Sequence, residues 1–151
     1  MFRVMSRRGL LRAVDSKRIR EAIEAAEKQT SGEICVSVAP LFWGNVRRAA
    51  EKAFQRLGVS GTKARNGVLF FVVPSRRRFV ILGDQGIHEK VGQEFWEAIA
   101  AAVSAKFREG NFTGGLVDGI EEVGKQLAAH FPFEGSRDVD ELPNEPDIGS
   151  N

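Results

Sequence analysis

A three-layer α/β/α sandwich with a small mixed central sheet is the fold class this sequence predicts, and three observations predict it. Segments of helical period alternate with short strand-like runs. One of those runs, Val68 to Val73, is continuously apolar, as expected of a strand covered on both faces. The next run follows after only Pro74-Ser75-Arg76-Arg77, a connection short enough to join antiparallel neighbours and nothing else. At 151 residues, 42% hydrophobic and 28% charged, the chain suits one compact domain with its own core and argues against disorder or a fibrous rod.

Taken in order, Asp15 is an N-cap followed by Ile19, Ala22, Ile23 and Ala26 at i, i+3, i+4, i+7 spacing, so a helix runs from Asp15 to near Gln29 and ends at Thr30-Ser31-Gly32. Ile34, Val36 and Val38 then alternate with Cys35, Ser37 and Ala39 up to Pro40, the period of a strand whose second face is small and covered. Val46, Ala49, Ala50, Ala53, Phe54 and Leu57 restore the helical period over Asn45 to Leu57, stopped by Gly58. Gly67 to Val73 is the central strand, and Arg78 to Leu82 alternates into a third that ends at Gly83. The Gly83-Asp84-Gln85-Gly86 segment reads as a loop leading into a helix from Glu89 to Arg108 that buries Phe95, Ile99, Ala102 and Val103. Gly110 breaks that pattern, and a last helix from Thr113 to His130 carries Leu116, Ile120, Val123 and Leu127 on one stripe.

The domain so defined spans 15–131, between a basic segment, 1–14, and an acidic, proline-containing tail, 132–151. Four arginines and no acid precede Asp15, whereas the tail holds six acids against Arg137 alone and is too poor in large apolar groups to pack beyond Phe131 and Phe133. The net charge is only +2, so nucleic acid is not an expected partner. Cys35 is the single cysteine and reads as a buried structural thiol, excluding an intrachain disulfide and a cysteine-based metal knuckle. No apolar run approaches the ~20 residues of a membrane-spanning helix, and Leu10-Leu11 does not open a secretory signal, so a cytoplasmic setting is expected.

Chain direction locates the polar residues. The first strand, its following helix and the second strand form a parallel βαβ unit, and the third strand returns antiparallel. The starts of the first two strands and the end of the third then share one end of the sheet, which gathers Glu33, Asn66 and Asp84. The helix that begins there adds Gly86, His88, Glu89 and its free N–H groups. Glu33, Asp84 and Glu89 beside the Asn66 amide make an all-oxygen set suited to Ca²⁺ or Mg²⁺. Without a metal, neighbouring carboxylates can instead serve as an acid and base pair. A plainer reading stands beside this one: Asp84 is a helix cap, Glu33 faces solvent, His88 lies on the surface and His130 answers a helix C-terminus. Trp43 and Trp96 read as packing groups, Arg76 to Arg78 as a solvated hairpin tip at the other end of the sheet, and Asp118 starts too far away to contribute. The sequence contains no nucleophile elbow, Walker loop, dinucleotide fingerprint or zincin motif.

Several runs resemble the TPM-domain family in its short bacterial form, a family that includes a thylakoid lumen protein, a photosystem II repair factor and an animal receptor auxiliary subunit. They are Ala26 to Ile34 (AEKQTSGEI), Arg65-Asn66-Gly67-Val68-Leu69, Ile81 to Ile87 (ILGDQGI), Phe95-Trp96, Gly110-Asn111-Phe112, Asp118-Gly119-Ile120, His130-Phe131-Pro132 and Glu141-Leu142-Pro143. The resemblance implies an α/β/α sandwich, divalent-cation binding with calcium the usual candidate, and the phosphatase activity proposed for chloroplast members. Carried onto this chain, it points to Glu33, Asp84 and Glu89, with Asn66 as a neutral oxygen donor. Two functions follow: a cation-binding module that engages a protein partner, or a metal-dependent phosphatase. Thr30, Ser31 and Ser60 are hydroxyls available to the second, but none has a recognisable base beside it, so catalysis stays open.

Overall fold

A computed structural model describes residues 14–39, 42–134 and 146–148. The basic segment ahead of Val14, Pro40 and Glu141-Leu142-Pro143 lie outside the described residues. Among the described residues, five helices and a four-stranded sheet follow in the order α1 (Ser16–Glu27), β1 (Glu33–Val38), α2 (Val46–Arg56), β2 (Gly67–Val73), β3 (Arg78–Gly83), α3 (Gln85–Val91), α4 (Gln93–Arg108), α5 (Phe112–His130) and β4 (Asp147–Ile148). Short 3₁₀ turns at Val59–Gly61 and Pro74–Arg76 flank β2.

The strands lie in the order β3-β2-β1-β4, with β1 parallel to β2 and to β4 and β2 antiparallel to β3. Alternation along the strands divides the interior in two. Ile34, Val36, Val38, Val68, Phe70 and Val72 face α1, α4 and α5, together with Ile19, Ile23, Phe107, Leu116, Ile120 and Leu127. Cys35, Leu69, Phe71 and Val73 face the other way, against Val46, Ala50, Ala53 and Phe54 of α2 and Val59 of the turn. Both faces of β1 and β2 are therefore covered, giving the predicted three layers and the unbroken apolar run of β2. Cys35 is buried, as its apolar context predicts.

Five expectations change. The helix predicted from Glu89 begins instead at Gln85, because Asp84 is extended and caps it. It is interrupted at Gly92, whose φ of +78° is open to glycine and strained for other residues, so α3 and α4 are separate. The buried stripe of α4 is Trp96, Ile99, Val103 and Phe107, while Ala102 is exposed. Trp96 packs as predicted, but Trp43 does not: its side chain is 79% exposed. Finally, the tail is more than an appendage of Phe131 and Phe133, since Asp147 and Ile148 return to pair with Ser37 and Val38 on the outer edge of β1.

A clasp fixes the entry into β1. Ser31 N–H donates to the Phe131 carbonyl at 2.9 Å, and Phe133 N–H returns a bond to Gln29 at 3.2 Å. The buried Thr30 hydroxyl also donates to Phe131, and accepts from Gly32 N–H at 3.0 Å. A Cβ at Gly32 would stand 2.7 Å from a Leu127 methyl, which explains the glycine. The TSG and HFP runs are thus the two halves of one contact between the start of β1 and the end of α5.

Candidate functional site

The register places Glu33 opposite Gly67 and Val68 opposite Gly83, and Asp84 N–H donates to the Gly67 carbonyl at 2.9 Å. Glu33, Gly67 and Asp84 therefore form one row across the end of the sheet, on the face covered by α2. Glu33 and Asp84 are buried, 4% and 5% exposed, and Asn66, one residue out of the row, is 2% exposed. The three polar residues that chain direction brings to this end are all withdrawn from solvent.

Strand spacing puts the Cα atoms of Glu33 and Asp84 about 10 Å apart. The space over Gly67 between them is occupied: a Cβ there would stand 2.5 Å from the Val59 carbonyl oxygen. Glu33 and Asp84 are the residues on either side of Gly67 in this row. Thr62 Oγ1 accepts from Asn66 N–H at 3.1 Å, which ties the loop before β2 onto its own start.

Asp84 has two duties. One carboxylate oxygen accepts from Gln85 N–H at 2.8 Å, the capping role read from the sequence. Both oxygens also accept a forked pair of bonds from Arg65, Nε to Oδ2 at 2.7 Å and Nη2 to Oδ1 at 2.9 Å. The carboxylate is buried while the guanidinium is half exposed, so the cation approaches its partner from solvent. The hydrogen bond to Asp84, with its charge, raises the Arg65 pKa above the ordinary arginine value. Arg65 reaches this position from a left-handed backbone, φ +53°.

The N-terminus of α3 is closed by the same loop. Ile87 N–H donates to the Arg65 carbonyl at 3.3 Å, and a Cβ at Gly86 would meet the Ala64 and Arg65 carbonyl oxygens at 2.1 and 2.6 Å. Gly83 faces the Trp96 ring at 2.3 Å from its own absent Cβ, and Trp96 Nε1 donates to His88 Nδ1 at 3.0 Å. The RNG and LGDQG runs thus build one locked corner in which glycines admit close backbone or ring approach and Arg65 clamps Asp84. The N–H groups expected to be free are largely met by Asp84 and Arg65.

Glu89 lies outside this corner. It is exposed on α3 and accepts from Gln85 Nε2 at 3.0 Å, one helical turn along. Among the described residues no group of three or more His, Cys, Asp or Glu side chains is placed to hold a metal ion. A carboxylate that sequence reasoning missed is Glu51 of α2. With Phe54, Gln55, Leu82, Gly83 and Asp84 it lines an open cleft of about 200 Å³, so Asp84 and Glu51 face the same solvent-connected space. Only the rotation of α2 over the sheet selects Glu51, and periodicity marks it merely as exposed. Asp118 pairs with Lys106, away from the corner.

At the opposite end, Arg76 Nη1 donates to the Gly44 carbonyl and Arg77 Nη1 to the Arg108 carbonyl at 2.8 Å. The arginine turn is therefore bonded to the loop before α2 and to the end of α4 rather than a purely solvated tip. None of the described helices is long and apolar enough to cross a membrane.

A mixed-sheet α/β/α sandwich with a buried polar corner where its parallel strands begin defines the class of protein. Within that class the chain belongs to the TPM domain family, whose sequence model matches residues 4–126. Among solved structures it is similar to the BA42 protein of the psychrophilic bacterium Bizionia argentinensis, at 43% identity and a TM-score of 0.81, covering 89% of this chain and 92% of that one. The N-terminal domain of the cg2496 protein from Corynebacterium glutamicum shares the fold at 19% identity and a TM-score of 0.55, covering 74% of this chain and 70% of that one. Comparison with curated proteins gave no match.

Proposed function

We propose that this TPM domain is a divalent-cation-binding module that engages a protein partner, with Asp84 as the anchoring ligand and Ca²⁺ preferred over Mg²⁺. One observation carries the reading: a buried carboxylate, Asp84, opens onto a cleft that also holds Glu51, and its present counter-charge is a guanidinium reaching in from solvent. The donor chemistry is all oxygen, which suits a hard cation: Asp84 and Glu51 line the cleft, the Val59 carbonyl stands over Gly67 in the neighbouring strand, and Glu33 and Asn66 are buried at the same end of the sheet. An irregular set mixing carboxylates with a carbonyl fits the adaptable shell of Ca²⁺ better than the strict octahedron of Mg²⁺. Since Arg65 engages both Asp84 oxygens, a cation enters by displacing it, and the half-exposed side chain has solvent to swing into. Arg65 is then a resident surrogate for the ion.

Hydrolysis, the alternative, is less favoured, because the Thr30 hydroxyl is committed to Phe131 and Gly32. Turnover of a chromogenic phosphate ester that required an intact Asp84 would reinstate it. The cation reading is tested by titrating CaCl₂ and MgCl₂ into the ¹⁵N-labelled chain. Amide shifts are expected at Arg65, Asp84, Gln85 and Glu51, abolished by Asp84→Asn and weakened by Glu33→Gln. Shifts confined to Arg76–Arg78, or unaltered by both substitutions, would overturn it.

A further inference from the structure

The return of the tail to the sheet carries an inference independent of the cation site. Among the described residues β4 spans Asp147–Ile148, and Asp147 is recognised by two side chains besides the backbone ladder. Ser37 Oγ donates to Oδ2 at 2.9 Å, while Arg56 donates from Nη2 to Oδ2 at 2.8 Å and from Nη1 to Oδ1 at 3.4 Å. Ser37 is 2% exposed on the α2 face of β1, and Arg56 ends α2 beside it. Strand edge, hydroxyl and guanidinium together read an extended segment that carries a carboxylate. Further back along the same edge, Ile34 N–H is met by Glu27 Oε2 at 3.2 Å, so a side chain rather than a strand covers that stretch.

We propose that the outer edge of β1 is a docking site for an extended acidic peptide from a partner protein, which adds as a parallel strand, and that Asp147–Ile148 is its tethered occupant. The mode is strand addition, in which ladder hydrogen bonds give affinity and Ser37 with Arg56 give selectivity for a carboxylate. Two features make the occupant replaceable. Among the described residues it pairs at two positions, and its ion pair is largely solvent-exposed on the arginine side, an arrangement that opens readily. What holds it is its covalent place in the same chain, which raises its effective concentration and so excludes weaker free ligands.

The test uses the full chain and a fluorescein-labelled peptide with the sequence of residues 144–150, Asn-Glu-Pro-Asp-Ile-Gly-Ser, read by fluorescence anisotropy. Asp147→Lys should bind the peptide at least about tenfold more tightly than the unsubstituted chain, because the tethered competitor is removed. The milder Asp147→Asn should show the same trend, and thermal melts of both variants report that the domain is folded. Adding Arg56→Ala to Asp147→Lys should abolish the gain, and a peptide with Asn in place of its Asp should lose it as well. Equal binding to the unsubstituted and substituted chains, no binding to either Asp147 variant, or binding indifferent to Arg56 would overturn the proposal.

Discussion

Replacing Gly86 by Ala puts the locked corner under direct strain. The added methyl would stand 2.1 Å from the Ala64 carbonyl oxygen and 2.6 Å from that of Arg65, both backbone atoms without a rotamer to escape into. An ordinary carbon–oxygen contact is about 3.3 Å or more, so α3 and the loop before β2 must separate by roughly 1 Å. Overpacking of this kind costs about 1–3 kcal/mol. Losing the Ile87 N–H bond to the Arg65 carbonyl adds about 0.5–1.5 kcal/mol, against a return of about 0.5–1 kcal/mol for alanine in a helix. The net is a destabilisation of about 2 kcal/mol, which in a domain of this size lowers Tm by roughly 4–8 °C. Gly61→Ala is the control, since a Cβ there meets nothing within 4 Å and the residue needs no left-handed backbone. Differential scanning calorimetry of both variants decides: a Gly86→Ala melt within about 2 °C of the unsubstituted chain, or one matched by Gly61→Ala, would refute the close approach of α3 to Ala64 and Arg65.

Thr30→Val keeps the side-chain shape but removes the acceptor for Gly32 N–H and one of the donors to Phe131 at a buried position. It should destabilise by about 1–2 kcal/mol in urea denaturation, with faster exchange of the Ser31 and Gly32 amides. The Asp147 carboxyl is held below its ordinary value of 3.8, chiefly by the hydrogen bond from Arg56 and also by Ser37, against the opposing effect of partial burial. A depressed carboxyl stabilises the tail contact fully above that ordinary value and loses it as pH falls through the depressed one. The register turns the Asp147 amide toward β1, so this amide should stay protected at neutral pH and begin exchanging faster below about pH 4, earlier in the chain carrying Arg56→Ala.

Much of this fold is legible in the sequence because burial follows period. The continuous run of β2, the alternation of β1 and the stripes of α1 and α5 each say which face is covered, and the short turn after β2 fixes the antiparallel return of β3. Chain direction alone then brings Glu33, Asn66 and Asp84 to one end. The clamp between Arg65 and Asp84 is not legible, because it depends on a left-handed residue that turns an otherwise solvent-facing arginine back over the strand end. Glu51 is hidden for a related reason: the exposed face of an amphipathic helix offers several acids, and only tertiary packing selects one. The break at Gly92 is similarly a backbone event inside a run whose apolar period continues past it. β4 lies beyond any periodicity argument, since two residues carry no pattern and its affinity for the sheet resides in Ser37 and Arg56, far away in sequence.

These absences share a cause. Patterns of hydrophobicity report what is buried, whereas the polar contacts that define the corner and the tail join residues separated along the chain, as Arg56 and Asp147 are by 91 positions. The runs that mark the family, read against the structure, are largely the residues that make such contacts or leave room for them: Thr30 and Gly32, Arg65 and Gly67, Gly83, Asp84 and Gly86.

In the proposed cation site, Arg65 is the competitor that a cation must displace from Asp84. Isothermal titration of CaCl₂ into the unsubstituted chain, Arg65→Gln and Asp84→Asn tests it directly. Removing the guanidinium should strengthen calcium binding by about tenfold, equivalent to about 1.4 kcal/mol, while Asp84→Asn abolishes it. Calcium affinity unchanged or weakened by Arg65→Gln, or retained in Asp84→Asn, would contradict the account.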